Sequence, residues 1–213
     1  MAMETVLVDR HGNALRSTKN GSLMTHRRLP DFAVLVQEGK VFSAMDTTTT
    51  VALVARPSTT SNLTIQNPPS SGKFYVIFEL LAYTDVVAAT LGLVTVWHCI
   101  HKLTTAAFTR DLVLAGTGAG TASALKGGVS YTGMAIFDRG ASVVDDGWVP
   151  TPLQILNNIA STNFVSNAAR LTVPVIIPPG FHYSLQTTAT VVTFESALGV
   201  TWAEVDEDDL MYA

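Results

Sequence analysis

Beyond residue 31 the apolar positions of this 213-residue chain fall into short runs rich in Val, Ile, Phe, Tyr and Thr, separated by clusters of Gly, Pro, Asn and Ser. β-branched and aromatic side chains pack well on a pleated surface, so such runs suit extended backbone. The pattern predicts strands at Phe32–Val36, Lys40–Ala44, Val51–Ala55, Asn62–Gln66, Phe74–Tyr83, Leu93–His101, Leu112–Ala115, Leu171–Ile177, Phe181–Thr187, Val191–Glu195 and Val200–Val205. Within one of them Phe181, Tyr183 and Leu185 alternate with His182, Ser184 and Gln186, which sends one set into a core and the other toward water or a partner. The intervening Pro178-Pro179-Gly180 suits a type II turn, which splays its flanking strands and so marks a corner where the chain changes sheets.

Three segments depart from this pattern. Val8–His26 has turn residues at short intervals and few apolar ones, so residues 1–30 are expected to form an extended arm, with a hairpin signal at Asn20-Gly21. Gly116–Gly128 is rich in Gly and Ala and reads as a loop, while Pro152–Ala160 clusters Ile155, Leu156 and Ile159 at helical spacing and predicts two helical turns. Many short strands without βαβ alternation give an all-β class: a β-sandwich of jelly-roll type over residues 31–205, preceded by the arm and followed by an acidic tail at 206–213.

Charge changes the picture mainly by its scarcity. Charged residues are 14% of the chain and hydrophobic ones 47%, against roughly a quarter charged in an ordinary soluble domain. A surface so neutral resists association poorly, so part of it is expected to be an interface. The charges that exist gather at the ends: Arg10, Arg16, Arg27 and Arg28 in the arm, and Glu204, Asp206, Glu207, Asp208 and Asp209 near the C-terminus. These nine residues are the candidates for docking on neighbouring subunits. The chain is net −4 and its basic arm lacks interleaved aromatics, so no direct contact with nucleic acid is expected. The start mixes Glu4 and Asp9 with apolar residues, unlike a signal peptide, and the longest apolar runs are interrupted by Glu79 and His98, so synthesis in the cytoplasm without a membrane span is expected. The sequon Asn62-Leu63-Thr64 is then a chance match.

Candidate chemistry is sparse. Cys99 is the single cysteine, which excludes an intrachain disulfide. His98 and His101 stand three apart, and on a strand such positions face opposite sides, so they and Cys99 do not converge on a metal; His98 is expected beside the core and His101 in solvent. His11, His26 and His182 lie too far off in sequence to give a ligand spacing. Gly116–Gly120 lacks the lysine and hydroxyl of a phosphate loop, and Gly128–Gly133 has the wrong spacing around Ser130 for a nucleophile elbow. Asp145-Asp146-Gly147 reads as a turn, and nothing in the sequence favours Glu79 and Glu195 as a glycosidase pair. No catalytic residue, metal or cofactor is therefore expected.

Val8-Asp9-Arg10-His11-Gly12-Asn13-Ala14, the step Gly39-Lys40-Val41-Phe42-Ser43-Ala44, Ile177-Pro178-Pro179-Gly180, and Gly199-Val200-Thr201-Trp202-Ala203-Glu204 resemble virion structural proteins of tailed bacteriophages. The resemblance implies a non-enzymatic jelly-roll-like subunit in the virion, often a homotrimer. It would decorate or cement the head by binding a major capsid or other virion protein. A tail, baseplate or receptor-binding component is the alternative within the virion. A lectin-like module, using Trp97, Trp148 or Trp202 as a sugar platform, is the alternative outside it.

Overall fold

In the computed structural model, ten strands among the described residues form two antiparallel sheets. The residues described are 35–36, 38–46, 50–86, 92–102, 133–138, 147–157, 165–190 and 195–210. The strands are β1 (Val41–Met45), β2 (Thr50–Val51), β3 (Leu63–Gln66), β4 (Phe74–Val86), β5 (Gly92–Lys102), β6 (Ile136–Asp138), β7 (Val149–Asn157), β8 (Val165–Ile177), β9 (Phe181–Ala189) and β10 (Glu195–Val205). One helical turn, α1 (Glu207–Leu210), follows.

The first sheet runs β1-β10-β4-β8, with β2 also on β10, and the second runs β6-β3-β9-β5-β7. Their inner faces enclose one core. Phe42, Leu198, Val200, Trp202, Tyr75, Ile77 and Leu80 come from the first sheet, and Leu63, Ile65, Phe137, Tyr183, Leu185, Val94 and Val96 from the second. Trp202 stacks on Phe42 at 5.4 Å and meets Phe137 at 5.2 Å, so one indole ties β10 to a strand of each sheet. Burying an aromatic side chain of this size stabilises by about 3 kcal/mol, before any ring geometry is counted.

β10 is central, and every residue from Ser196 to Val205 is buried. Its Gly199 faces the backbone of β1 so closely that an added Cβ would lie 2.6 Å from the Ala44 carbonyl oxygen. Only glycine admits that approach. A disturbance crosses the first sheet at Phe78: the β4–β10 register shifts between Thr201 and Trp202, and on β8 the pairing jumps from Val175 to Arg170. Leu171–Pro174 therefore bulges from an edge strand, with Val173 77% exposed. Pro174 lacks an N–H, which blunts that edge further.

Several sequence expectations hold. Pro178 O accepts from Phe181 N at 3.2 Å and Gly180 has φ 82°, which is the expected turn, and it carries the chain from β8 in one sheet to β9 in the other. Others change. Residues 149–157 are a strand, so the helix expected at Pro152–Ala160 is overturned for residues 152–157; pairing with β5 outweighs the local helical spacing. Ile136–Asp138 is a strand the sequence reading passed over, and Val51–Ala55 contributes only its first residue to one. Leu35 and Val36 are helical rather than extended, which corrects the end of the strand expected at Phe32–Val36, and residues 32–34, 112–115, 116–128 and 191–194 lie outside the described residues, as does the arm at 1–30.

Candidate functional site

Strand alternation makes Glu204 an inward-facing residue, because it follows Trp202 by two positions on β10. It is 5% exposed, and its carboxylate accepts from Met134 N at 3.0 Å, Ala135 N at 3.3 Å and Trp202 Nε1 at 3.3 Å. Glu204 belongs to the first sheet, and the two amides lead into β6 of the second. The carboxylate thus ties the sheets together through main-chain donors. Gly133 fits this arrangement, since a Cβ there would sit 2.9 Å from Glu204 Oε1 and 3.2 Å from the Phe42 ring. Burial pushes the Glu204 carboxyl above the ordinary carboxylate range, partly offset by the donated hydrogen bonds and by Lys73. Tyr75, its cross-strand partner, is fully buried, and its hydroxyl makes no hydrogen bond among the described residues. Its phenol is raised by burial and then by the Glu204 charge.

The outward face of the second sheet carries a second enclosed polar group. His101 on β5 pairs in register with His182 on β9, and their ring centroids lie 5.0 Å apart. The two are 1% and 0% exposed. Cys99 Sγ lies 3.7 Å from His101 Nδ1, and the Trp148 ring meets His101 edge-on at 5.8 Å. Trp148 is anchored by its Nε1, which donates to Ser58 O at 2.9 Å. Next along this face, Thr64 and Ser184 share a hydroxyl contact of 2.8 Å, and Ser61 bonds Thr64 at 2.6 Å. Burial first and the neighbouring His101 second lower the His182 imidazole to about 4.

The core-facing partner of this group is different. His98 Nδ1 contacts the Tyr183 hydroxyl at 3.1 Å, and burial lowers that imidazole. His98 and His101 do face opposite sides of β5, as their spacing implies. His101 is not in solvent, however, and His182, Ser184 and Gln186 are buried rather than open to water, because this outward face is covered.

The nine docking candidates separate. Arg10, Arg16, Arg27 and Arg28 lie outside the described residues. Glu204 is enclosed, so its carboxylate is not at the surface to meet a partner; its place on the inner face of β10 is what the sequence reading missed. Asp206 is exposed and forms an ion pair with Lys73 at 2.6 Å, and Glu207 is exposed at the start of α1 with Asp208 and Asp209 behind it.

The remaining chemistry is dispersed. Among the described residues no three His, Cys, Asp or Glu side chains are grouped to hold a metal ion. Glu79 is opposite Thr201 and Glu195 lies six positions along the same β10, about 20 Å away, so they form no carboxylate pair. Asp145, Asp146 and Ser130 fall outside the described residues, and Gly147 has φ 100°, a turn conformation. Trp202 is in the core, Trp148 is buried, and Trp97 is half-buried with its Nε1 donating to Thr188 at 2.8 Å. Asn62 of the sequon is buried, with its amide donating to Thr50 and to Thr187.

Exposed large apolar side chains among the described residues are Val173 and Ile176 on β8, Val51 and Val54 at and after β2, Val149 on β7, Ile100 on β5 and Met134 before β6. No helix among the described residues is long and apolar enough to cross a membrane. No protein-family model, no curated protein and no solved structure matches the chain.

Proposed function

We propose that the chain is a non-enzymatic virion structural protein, a jelly-roll subunit that decorates and cements the assembled head of a tailed bacteriophage. The observation that carries this reading is the nesting of the strand pairs. With β2 and β6 set aside, eight strands remain, and β1 pairs with β10, β3 with β9, β4 with β8 and β5 with β7. First pairs with last, second with seventh, third with sixth and fourth with fifth. Rolling such a folded ladder into two layers gives strand orders 1-8-3-6 and 2-7-4-5, the jelly-roll arrangement used by viral capsid and lectin domains. The fold alone does not choose between those uses.

The surface favours assembly. A chain with only 14% charged residues, and with Val173, Ile176 and Val149 exposed on edge strands, has neutral and apolar surface to cover. A homotrimer bound at equivalent sites on a major capsid protein would cover it and would stabilise the shell by mass action. The arm at 1–30, with Arg10, Arg16, Arg27 and Arg28, and the acids Asp206, Glu207, Asp208 and Asp209 are the docking elements in this reading. The lectin-like alternative needs an exposed aromatic platform, and no described aromatic side chain is exposed. A tail or baseplate role shares the same fold and is separated by location.

The test is to add the purified protein to heads assembled without it. Saturable binding at hundreds of copies per particle, with a raised midpoint for shell disruption by heat, is expected. Failure to bind heads, together with antibody labelling confined to tails, would overturn the head assignment.

A further inference from the structure

We infer that the crossover Thr50–Leu53 is a latch, which frees one end of the sandwich by local opening while the opposite end, closed by two proline turns around Asn67, stays shut. Both ends are tied across the layers through the residues that flank β3. Asn62 precedes that strand and Asn67 follows it, and both are buried. What their side-chain amides hold differs in kind.

The proline end is held by main-chain acceptors. Asn67 Nδ2 donates to Lys73 O at 2.7 Å and to Ile177 O at 2.9 Å, at the margins of β4 and β8 in the first sheet, and its Oδ1 accepts from the Ser71 hydroxyl. Its backbone joins the second sheet, donating to Phe181 O at 2.9 Å and accepting from Gly180 N at 3.0 Å. Pro68 O accepts from Ser71 N at 3.0 Å, so a second closed turn lies beside the one at Pro178–Phe181, and a Cβ on Gly180 would be 3.9 Å from Pro69 Cγ. Opening here breaks all these bonds together. The freed chain gains little entropy in return, because Pro68, Pro69, Pro178 and Pro179 restrict it even when it is loose.

The other end is held by hydroxyls and a short crossover. Thr50–Val51 pairs with Glu195–Ser196 of β10. Two residues on, Leu53 N donates to Thr187 O at 3.0 Å and Leu53 O accepts from Ala189 N at 2.8 Å, so the segment passes from the first sheet to the second. Asn62 Nδ2 donates to the Thr50 and Thr187 hydroxyls, and Ser196 Oγ donates to Thr187 Oγ1 at 3.1 Å. Those hydroxyls rotate freely and can exchange each partner for water as the crossover lifts. Of Thr50–Val54 only Ala52 is buried, whereas Val51 is 52% and Val54 64% exposed. Lifting the crossover therefore uncovers little apolar surface, which is the condition for opening at a free energy below that of global unfolding.

The test is native-state hydrogen exchange of the full chain, read by NMR as protection factors in increasing, subdenaturing urea. Leu53 and Ala189 report the latch, and Asn67 and Gly180 report the proline end. In the wild type the latch amides should be at least about tenfold less protected than the other two and nearly insensitive to urea, while Asn67 and Gly180 lose protection with the slope of global unfolding. Asn67→Ala should then lower protection at residues 67 and 180 by about fivefold or more and leave Leu53 and Ala189 within about twofold, since latch opening keeps the Asn67 bonds intact. Where that variant does not fold, Ser71→Ala makes the same test with the loss of one hydroxyl. Equal protection of all four amides, a common urea slope, or a variant that lowers all four alike would each overturn the proposal.

Discussion

Glu204 and His182 are both ionisable and both almost completely enclosed, yet the chain surrounds them in opposite ways. Glu204 points into the core and is met by three N–H donors from two separate segments. His182 points out of the sandwich and lies beside a second imidazole, which repels its charge once both rings are protonated. Burial shifts both groups toward their neutral forms, raising the acid and lowering the base. The proton linkage therefore runs in contrary directions. The Glu204 contribution to stability is fully present below the ordinary carboxylate value and is lost as pH rises through its raised one; that of His182 is present above about 6.5 and is lost as pH falls toward about 4. One enclosed group links the two layers, and the other belongs to an imidazole pair on an outward face.

The largest test removes the connection between the layers. Glu204→Ala should cost about 3–5 kcal/mol in urea unfolding, because three donors, two of them in buried hydrogen bonds, lose their acceptor and a cavity remains. A cost under about 1 kcal/mol would mean the amides of Met134 and Ala135 find water instead. Gly133→Ala should cost about 1–3 kcal/mol by forcing a methyl against the carboxylate and the Phe42 ring. On the other side of the comparison, the wild type should lose about 2 kcal/mol between pH 7.5 and 5 through His182, and His182→Gln should remove that loss. With it removed, the opposite slope from Glu204 should emerge as stability that holds or rises on acidification. Tyr75→Phe should change stability by no more than about 1 kcal/mol, in the stabilising direction, since it deletes a buried hydroxyl that bonds no described residue and faces a carboxylate. Lys73→Ala should have the smallest effect, about 0–1 kcal/mol and weakened by salt, because its pair with Asp206 is at the surface.

Much of the strand content was legible because it is written in local pattern. The segments now seen as β1, β3, β4, β5, β8, β9 and β10 carry dense β-branched and aromatic runs, and the Pro179-Gly180 turn announces itself by residue type. β7 was misread because Ile155, Leu156 and Ile159 suit a helix face, and strand pairing is invisible in local sequence. The same blindness explains the site. His182 and His101 are brought together by the antiparallel register of β5 on β9, and no spacing in the sequence encodes that register. Glu204 looked like one acid among five, although it alone sits in phase with Trp202 and Val200 on the inner face; strand alternation carried through Val205 is the signal that separates it.

The position of β10 bears on how the chain folds as it is made. β10 is hydrogen-bonded to β1, β2 and β4, so the first sheet has no centre until residue 205 has emerged from the ribosome. Until then β1 and β4 present unpaired edges, and Phe42 and Tyr75 lack the indole and the carboxylate that enclose them. Sheets closed by so distant a strand form slowly, and their incomplete forms are exposed to aggregation in the interval. Translation faster than the sandwich can close is therefore a hazard for this chain, and slow synthesis or a chaperone that shields the β1 and β4 edges should raise the yield of folded protein.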